Sequence, residues 1–311
     1  MPVVSGNTSR IRTNIPAENA YNALSISGRN ISNAQLRLST GKRINNASDD
    51  VARYITSRAL ASRNGTLKSA LNAVGDAFNV TNITQDALDN IYNLLTTIKD
   101  SAATAGSGAL GTDEKVALAK SAYRLAQQIQ TVVDSTVFGG YQVIKGSYKA
   151  NFFIGVDNLN NLLTLAVDLT TSNVDFNLES NNFNLNTLGA GNFFAGVTGL
   201  FLEDLNNVIS TDLGIFSQDK IGTTLMSLAN ALNNVSKVAS FVGGISNRIT
   251  SQEQLLNSQI VNYNAAISRL EDADVALEQL DLIKNQFLQQ ASLISLAQAN
   301  QNPSAFLQLI K

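Results

Sequence analysis

The 311-residue sequence contains no cysteine, no histidine and no tryptophan. Without cysteine there is no disulfide framework, no thiolate metal site and no thiol nucleophile. Without histidine the commonest general base and the commonest transition-metal ligand are missing. A Ser-His-Asp triad and an H-E-x-x-H metal site are therefore excluded; chemistry by carboxylates or lysine stays open, but no cofactor and no catalytic residues are expected. Proline is nearly absent too: Pro2, Pro16 and Pro303 are the three in the chain, so residues 17 to 302 hold none. Proline punctuates loops and ends helices. Its absence over so long a stretch predicts few loops and long helices. Long apolar runs are also missing. No segment approaches the ~18 uninterrupted apolar residues of a membrane helix, and Met1 to Ala20 lacks the apolar core of a signal peptide. Taken alone, these features predict a cytoplasmic, non-membrane, non-enzymatic protein.

Net charge is −2, which argues against a general nucleic-acid-binding surface. Residues 1–68 nevertheless carry ten Lys or Arg against three acids, so the other 243 residues carry −9. The basic positions follow helical spacing and are not clustered with aromatics, so a solvated basic arm, or matching to acidic protein surfaces in the same or another copy, is preferred over DNA.

Periodicity carries most of the remaining information. Ala20, Leu24, Ser27, Ile31, Ala34 and Leu38 step by four and three, a heptad seam of small and apolar residues. Ser48, followed by Asp49 and Asp50, predicts a helix start with Ser48 as the cap. Leu67, Leu71, Val74 and Phe78 continue a second helix, and Leu88, Ile91, Leu95, Ile98 and Ala102 resume it after a stutter near Thr81–Thr84. Gly106, Gly108 and Gly111 mark a turn. A third helix begins at Thr112-Asp113-Glu114 and is expected to stop near Gly139-Gly140.

Composition then changes: eleven Asn fall between Asn151 and Asn192. Residues 152–156 and 162–167 read as two strands joined by a hairpin loop at 158–161, with a weaker pair at 174–178 and 183–185. From Leu225 to Leu270, fourteen seam positions step by three and four, with Ser246 and Glu253 as the polar exceptions. The phase fails at Glu271-Asp272-Ala273-Asp274, which marks a junction between helical segments. A new seam at Leu280, Ile283, Phe287 and Ile294 is expected to pair with the 20–38 seam and to end before Asn302-Pro303. The expected fold class is mainly α: a long-helix coiled-coil and rod bundle built from both ends of the chain, with a small β-hairpin in the middle. Other motifs are lacking. Position 36 is Leu where a phosphate-binding loop ending at Gly41-Lys42 needs glycine, and no nucleophile elbow or calcium loop is present.

Three segments are more specific. Leu38-Ser39-Thr40-Gly41-Lys42-Arg43-Ile44-Asn45-Asn46-Ala47-Ser48-Asp49-Asp50 resembles the bacterial flagellin signature L-S-S/T-G-x-R-I-N-x-A-x-D-D. Ser268-Arg269-Leu270-Glu271-Asp272-Ala273-Asp274 is similar to that family's S-R-I-E-D-A-D. Leu288-Gln289-Gln290-Ala291 and Leu296-Ala297-Gln298-Ala299-Asn300-Gln301 resemble its L-Q-Q-A and L-A-Q-A-N-Q. The resemblance covers about 1–148 and 220–311.

The resemblance implies a subunit that polymerises into the flagellar filament, outside the cell. It implies a homopolymer, with an export chaperone, junction proteins and cap proteins as further partners, and type III export without a cleaved signal peptide. It also implies five segments: a D0-like coiled-coil segment and spoke at 1–44, D1-like rod helices at 45–148, a hairpin and variable region at 149–219, a D1-like rod helix at 220–270 and a D0-like segment at 271–311. Leu24, Ile31, Leu38, Leu280, Ile283, Phe287 and Ile294 are then the coiled-coil and assembly residues. Ser39, Gly41, Arg43, Ile44, Asn45, Asp49, Asp50, Arg269, Glu271, Asp272, Gln289, Gln290, Gln298 and Asn300 are the spoke and motif residues. Two departures stand out. Family members recognised by the innate immune receptor TLR5 carry L-Q-R-V-R-E-L, whereas this chain has Leu95, Thr97, Lys99 and Asp100 in the matching stretch, so TLR5 recognition is expected to be weak or absent. The start Arg10-Ile11-Arg12-Thr13-Asn14 also differs from the family's common I-N-T-N beginning. A hook–filament junction protein, and a cell-surface adhesin or glycan-binding protein on the same scaffold, are the alternatives.

Overall fold

The computed structural model describes residues 13–156, 162–170, 193–194, 197–198 and 200–309. The weaker strand pair at 174–178 and 183–185, the loop at 158–161 and Arg10 to Arg12 lie outside them. The architecture is mainly α. Among the described residues five helices run over Ile15–Thr40 (α1), Val51–Ala105 (α2), Thr112–Ser135 (α3), Ile221–Glu271 (α4) and Val275–Leu309 (α5). Two-stranded antiparallel sheets pair Val137–Phe138 (β1) with Tyr141–Gln142 (β2), Ser147–Val156 (β3) with Leu162–Thr170 (β4), and Phe193–Phe194 (β5) with Val197–Thr198 (β6).

Local chemistry sets the helix ends. The Asn14 side chain accepts a hydrogen bond from Ala17 N at 3.2 Å, Pro16 occupies the first turn where its missing N–H costs nothing, and Gly41 closes α1 in the left-handed region at φ 69°. The cap of α2 is Asp50, whose carboxylate accepts from Arg53 N at 3.0 Å. Ser48, the expected cap, lies outside the helix. Asp49 turns back, accepting from the backbone N–H groups of Asn45 (2.9 Å) and Asn46 (3.0 Å). The stutter at 81–84 does not break α2. Thr81 and Thr84 are buried, and their hydroxyls donate back to Phe78 O (2.9 Å) and Val80 O (2.7 Å).

The glycine pair expected to stop α3 does something else. The helix ends at Ser135, and Gly139 (φ 58°) and Gly140 (φ 87°) form the two-residue loop between β1 and β2, where the strand twist demands positive φ. The β3–β4 hairpin extends beyond the residues predicted as strands. Lys149 faces Asp168 across it, with an ion pair of 2.7 Å on the outward side, while Leu165, Val167 and Leu169 alternate inward. The last expectation to fail is the end of α5. That helix continues through Pro303 to Leu309.

The chain divides into two compact units, residues 1–64 with 261–311, and residues 65–260. The second unit has an ordinary apolar core. Val74, Leu88, Ile91, Leu95 and Ile98 of α2 meet Ala119, Ala122, Ala126 and Ile129 of α3 and Leu228, Val235, Val242 and Ile249 of α4. Each large aliphatic side chain buried there contributes about 1.5–3 kcal/mol. Residues 200–216, which sequence reading left in a variable region, also enter this core. Two 3-10 turns, Leu202–Asn206 and Gly214–Phe216, bury Leu202, Leu205, Ile215 and Phe216.

Candidate assembly surface

The first unit is built differently. α1 packs against α5, and the buried positions of α1 are Ala20, Ser27 and Ala34, each one heptad from the next. Leu24, Ile31 and Leu38 alternate with them and are half-buried. On α5 the inward line is Glu278, Leu282, Asn285, Gln289, Ser292, Leu296 and Ala299, again stepping by four and three. It is small and polar, with two leucines.

The expected pairing seam of α5 therefore does not face α1. Leu280 (66% exposed), Ile283, Phe287 (67%) and Ile294 (69%) lie on the other side of the helix, with Leu277, Leu288 and Leu293 also exposed. The physical reason is phase. A periodicity search follows the largest apolar residues, and in α5 those form a second stripe opposite the line that meets α1. α1 adds Tyr21, Ile26 and Leu36 to the exposed apolar surface of this unit.

The junction motifs meet one another. Arg43 N donates to Glu271 O at 2.6 Å, Ala273 N donates to Gly41 O at 2.9 Å, and Lys42 pairs with Asp272 as an isolated antiparallel bridge. Arg43 adds a guanidinium bond to Leu270 O at 3.1 Å, and Asn45 Nδ2 donates to Lys42 O at 2.9 Å. Ile44 is buried beside them. The segment after α1 is thus stitched to the break between α4 and α5. That break has its own cap: Asp274 accepts from Ala276 N (3.0 Å) and Leu277 N (3.2 Å). Glu271 is buried and bonded to Lys42 Nζ at 2.8 Å, and the Lys42 ammonium holds its carboxyl below the usual carboxylate range. Asp49 is likewise lowered, by its backbone bonds from Asn46 and Asn45. Ser39 donates to Leu36 O at 2.9 Å. Arg269, Asp272, Gln290, Gln298 and Asn300 are exposed, and Gln289 is half-buried on the line facing α1.

In the second unit, Leu95 is a core residue, Thr97 and Asp100 are exposed and Lys99 is half-buried. The Thr97 hydroxyl donates to Asn93 O at 3.0 Å.

Sequence reading missed Arg37, Glu278, Asn30, Asn285 and Asn14, all of which bond across the α1–α5 pair. The spacing of Glu271, Glu278, Asn285, Ser292 and Ala299 by sevens was the available signal. Among the described residues no helix is long and apolar enough to cross a membrane.

Comparison with known proteins agrees with this layout. The bacterial flagellin N-terminal helical region matches residues 11–149, and the C-terminal helical region matches 225–310. A flagellin of Bacillus subtilis is 28% identical, over 97% of this chain and 100% of its own length. Flagellin B of Vibrio anguillarum is 25% identical over 96% and 99%, and a Listeria monocytogenes flagellin is 24% identical over 97% and 99%. A solved structure from Vibrio parahaemolyticus, described as a flagellar hook-associated protein, shares the fold with a TM-score of 0.55 at 12% identity, covering 72% of this chain and 100% of that one. Relatives aligned along nearly the whole chain carry the name flagellin, whereas the hook-associated likeness is one of fold, so the junction-protein and adhesin alternatives are not favoured. The chain belongs to the bacterial flagellin family, structural subunits of the flagellar filament, an extracellular appendage of motility.

Proposed function

We propose that the chain polymerises with copies of itself through the outward apolar stripe of α5 and the exposed apolar residues of α1. The observation that carries this is the exposure of Leu280, Phe287 and Ile294 on a helix whose other face is already occupied. Soluble chains seldom leave such a stripe open unless a partner covers it. The seam towards α1 is too small and polar to order the pair by apolar burial alone, so covering the stripe supplies the missing drive.

The five segments, 1–44, 45–148, 149–219, 220–270 and 271–311, take the D0-like, D1-like, hairpin, D1-like and D0-like roles set out above. Assembly, and no catalysis, is the activity. The family resemblance supports export through the flagellar type III apparatus, and a disulfide-free chain unfolds readily for passage. It equally supports an export chaperone, junction proteins and cap proteins as partners. Recognition by TLR5 is weak or absent, because Thr97 offers a hydroxyl where a guanidinium fork is called for. A receptor reporter assay on purified subunit checks this, and a strong response refutes it.

The assembly reading is tested by Leu280→Asp, Phe287→Asp and Ile294→Asp together, expressed in a strain lacking its own filament protein. Secreted subunit without filaments in electron micrographs is the expected result. Filaments of normal length from this variant overturn it. Removal of 280–311 is the harsher version of the same test.

A further inference from the structure

Beside the stitch of 41–43 to 270–273, four polar links across the first unit form an ordered set. Glu271 pairs with Lys42 at 2.8 Å, Glu278 with Arg37 at 3.1 Å, Asn285 with Asn30 at 3.2 Å, and the carbonyl of Ala299 accepts from Asn14 Nδ2 at 2.7 Å. From one link to the next, the positions near and along α5 advance by seven, seven and fourteen residues, whole heptads, so those on the helix share one line. Their partners retreat along the N-terminal segment by five, seven and sixteen, as an antiparallel pair requires. Both glutamates are buried. The last link has a specific origin. Pro303 has no N–H, so the carbonyl four residues earlier, that of Ala299, receives no helical bond. The Asn14 amide takes that carbonyl while its own oxygen caps α1.

An apolar seam tolerates sliding, because one leucine packs much as another does. Polar links do not. A shift of one heptad either way would set an amide opposite a buried carboxylate or opposite the Arg37 guanidinium. A second error is open to this molecule as well. Turning α1 onto the Leu280, Phe287 and Ile294 stripe would bury more apolar area than the observed seam.

We infer that these four links, acting with the stitch of 41–43 to 270–273, are the specificity determinant of the terminal helix pair: they fix its register and its face, so that α1 takes the polar face of its own α5 and the apolar stripe stays open for other copies. This rests on the assembly reading above. A seam of this kind gives up stability for uniqueness, as a lone buried asparagine does in a coiled coil.

The absence of native cysteine makes the register directly readable. Two reporter chains, Asn30→Cys with Asn285→Cys, and Asn30→Cys with Ser292→Cys, sample the observed register and one a heptad away; both give up the Asn30–Asn285 link, so they read the register held by the other three. In dilute subunit, the first pair should form its disulfide at least about tenfold faster than the second. Adding Arg37→Ala and Lys42→Ala, which leaves the backbone stitch of 41–43 to 270–273 in place, should lower the rate ratio severalfold with helix content by circular dichroism retained. If those substitutions unfold the segment, Arg37→Glu with Glu278→Arg replaces them. Each single reversal should collapse the rate ratio, and the double reversal should restore it, which a merely structural role would not do. Equal rates in the otherwise unaltered chain, or a ratio untouched by removing the links, overturn the inference. Filament formation is scored separately by electron microscopy. Reporters that keep the ratio in a chain that never assembles count against the assembly reading and leave the register lock standing.

Discussion

Two neighbouring aspartates show how much a single residue decides. Asp49 and Asp50 look interchangeable in the sequence, as two acids at a helix start. In the structure Asp50 caps α2, and Asp49 closes the preceding turn onto Asn45 and Asn46. Sequence reasoning found the start and missed the division of labour, because the choice depends on how the 41–46 segment turns, which is set by its bonds to 270–273. Asp50→Ala should cost about 1 kcal/mol, the usual value of an N-cap, with the loss seen in the thermal unfolding of the first unit. The surface pair that Asp50 makes with Arg53 at 3.4 Å adds little, so Asp50→Asn should be nearly silent. Glu271, with Asp49 beside it, carries the acid response of the same region. Its folded-state value lies below the ordinary 4.5, chiefly through the hydrogen bond from Lys42, so the folded unit favours the charged form. That contribution is complete above the unfolded-state value and is lost as pH falls through the lower folded one. Denaturant titrations should therefore show stability falling below about pH 4.5, and Glu271→Gln should flatten that part of the profile. An unchanged slope in the Gln variant would place the acid response elsewhere.

At the scale of elements, legibility followed the kind of burial. α2, α3 and α4 were readable because each buries large aliphatic residues on one face, which is what a periodicity search detects. α5 was readable as a helix and misread in phase, since its large residues point away from α1. Its continuation past Pro303 was unreadable for a related reason. Proline costs a helix one hydrogen bond and forbids none of the turns after it, and Asn14, 285 residues before Ala299 in sequence, bonds the carbonyl left over. The hairpin at 137–142 is legible once positive φ is considered. Gly139-Gly140 suits a two-residue loop better than a helix end, although a glycine pair alone fits both. Gly140→Ala should cost about 1–2 kcal/mol, because φ 87° is strained for any residue with a Cβ. The second unit should register it as a lower melting temperature with helix content unchanged.

The two units of the whole molecule are held by different physics, and that difference is measurable. The core at 65–260 excludes water from a continuous set of aliphatic side chains, closed from 200–216 by Leu202, Leu205, Ile215 and Phe216. Truncating Phe216 to Ala should cost about 3–5 kcal/mol there, the range for an aromatic removed from a packed core. Among its described residues the unit at 1–64 and 261–311 has no comparable reserve. Its buried α1 positions are Ala20, Ser27 and Ala34, and its cross-helix bonds contribute only about 0.5–1.5 kcal/mol each when neutral, somewhat more when charged. Opening free energies differ within a protein according to such local burial. Amide hydrogen exchange on the isolated subunit should therefore be slow over 74–98 and 228–249 and much faster over 15–40 and 275–301. In the filament the second set should slow by orders of magnitude, because covering Leu280, Phe287 and Ile294 adds the apolar burial that the single chain lacks. Equal protection of both sets in the isolated subunit would mean that the polar seam is stable by itself, and that assembly supplies contact between copies without supplying order.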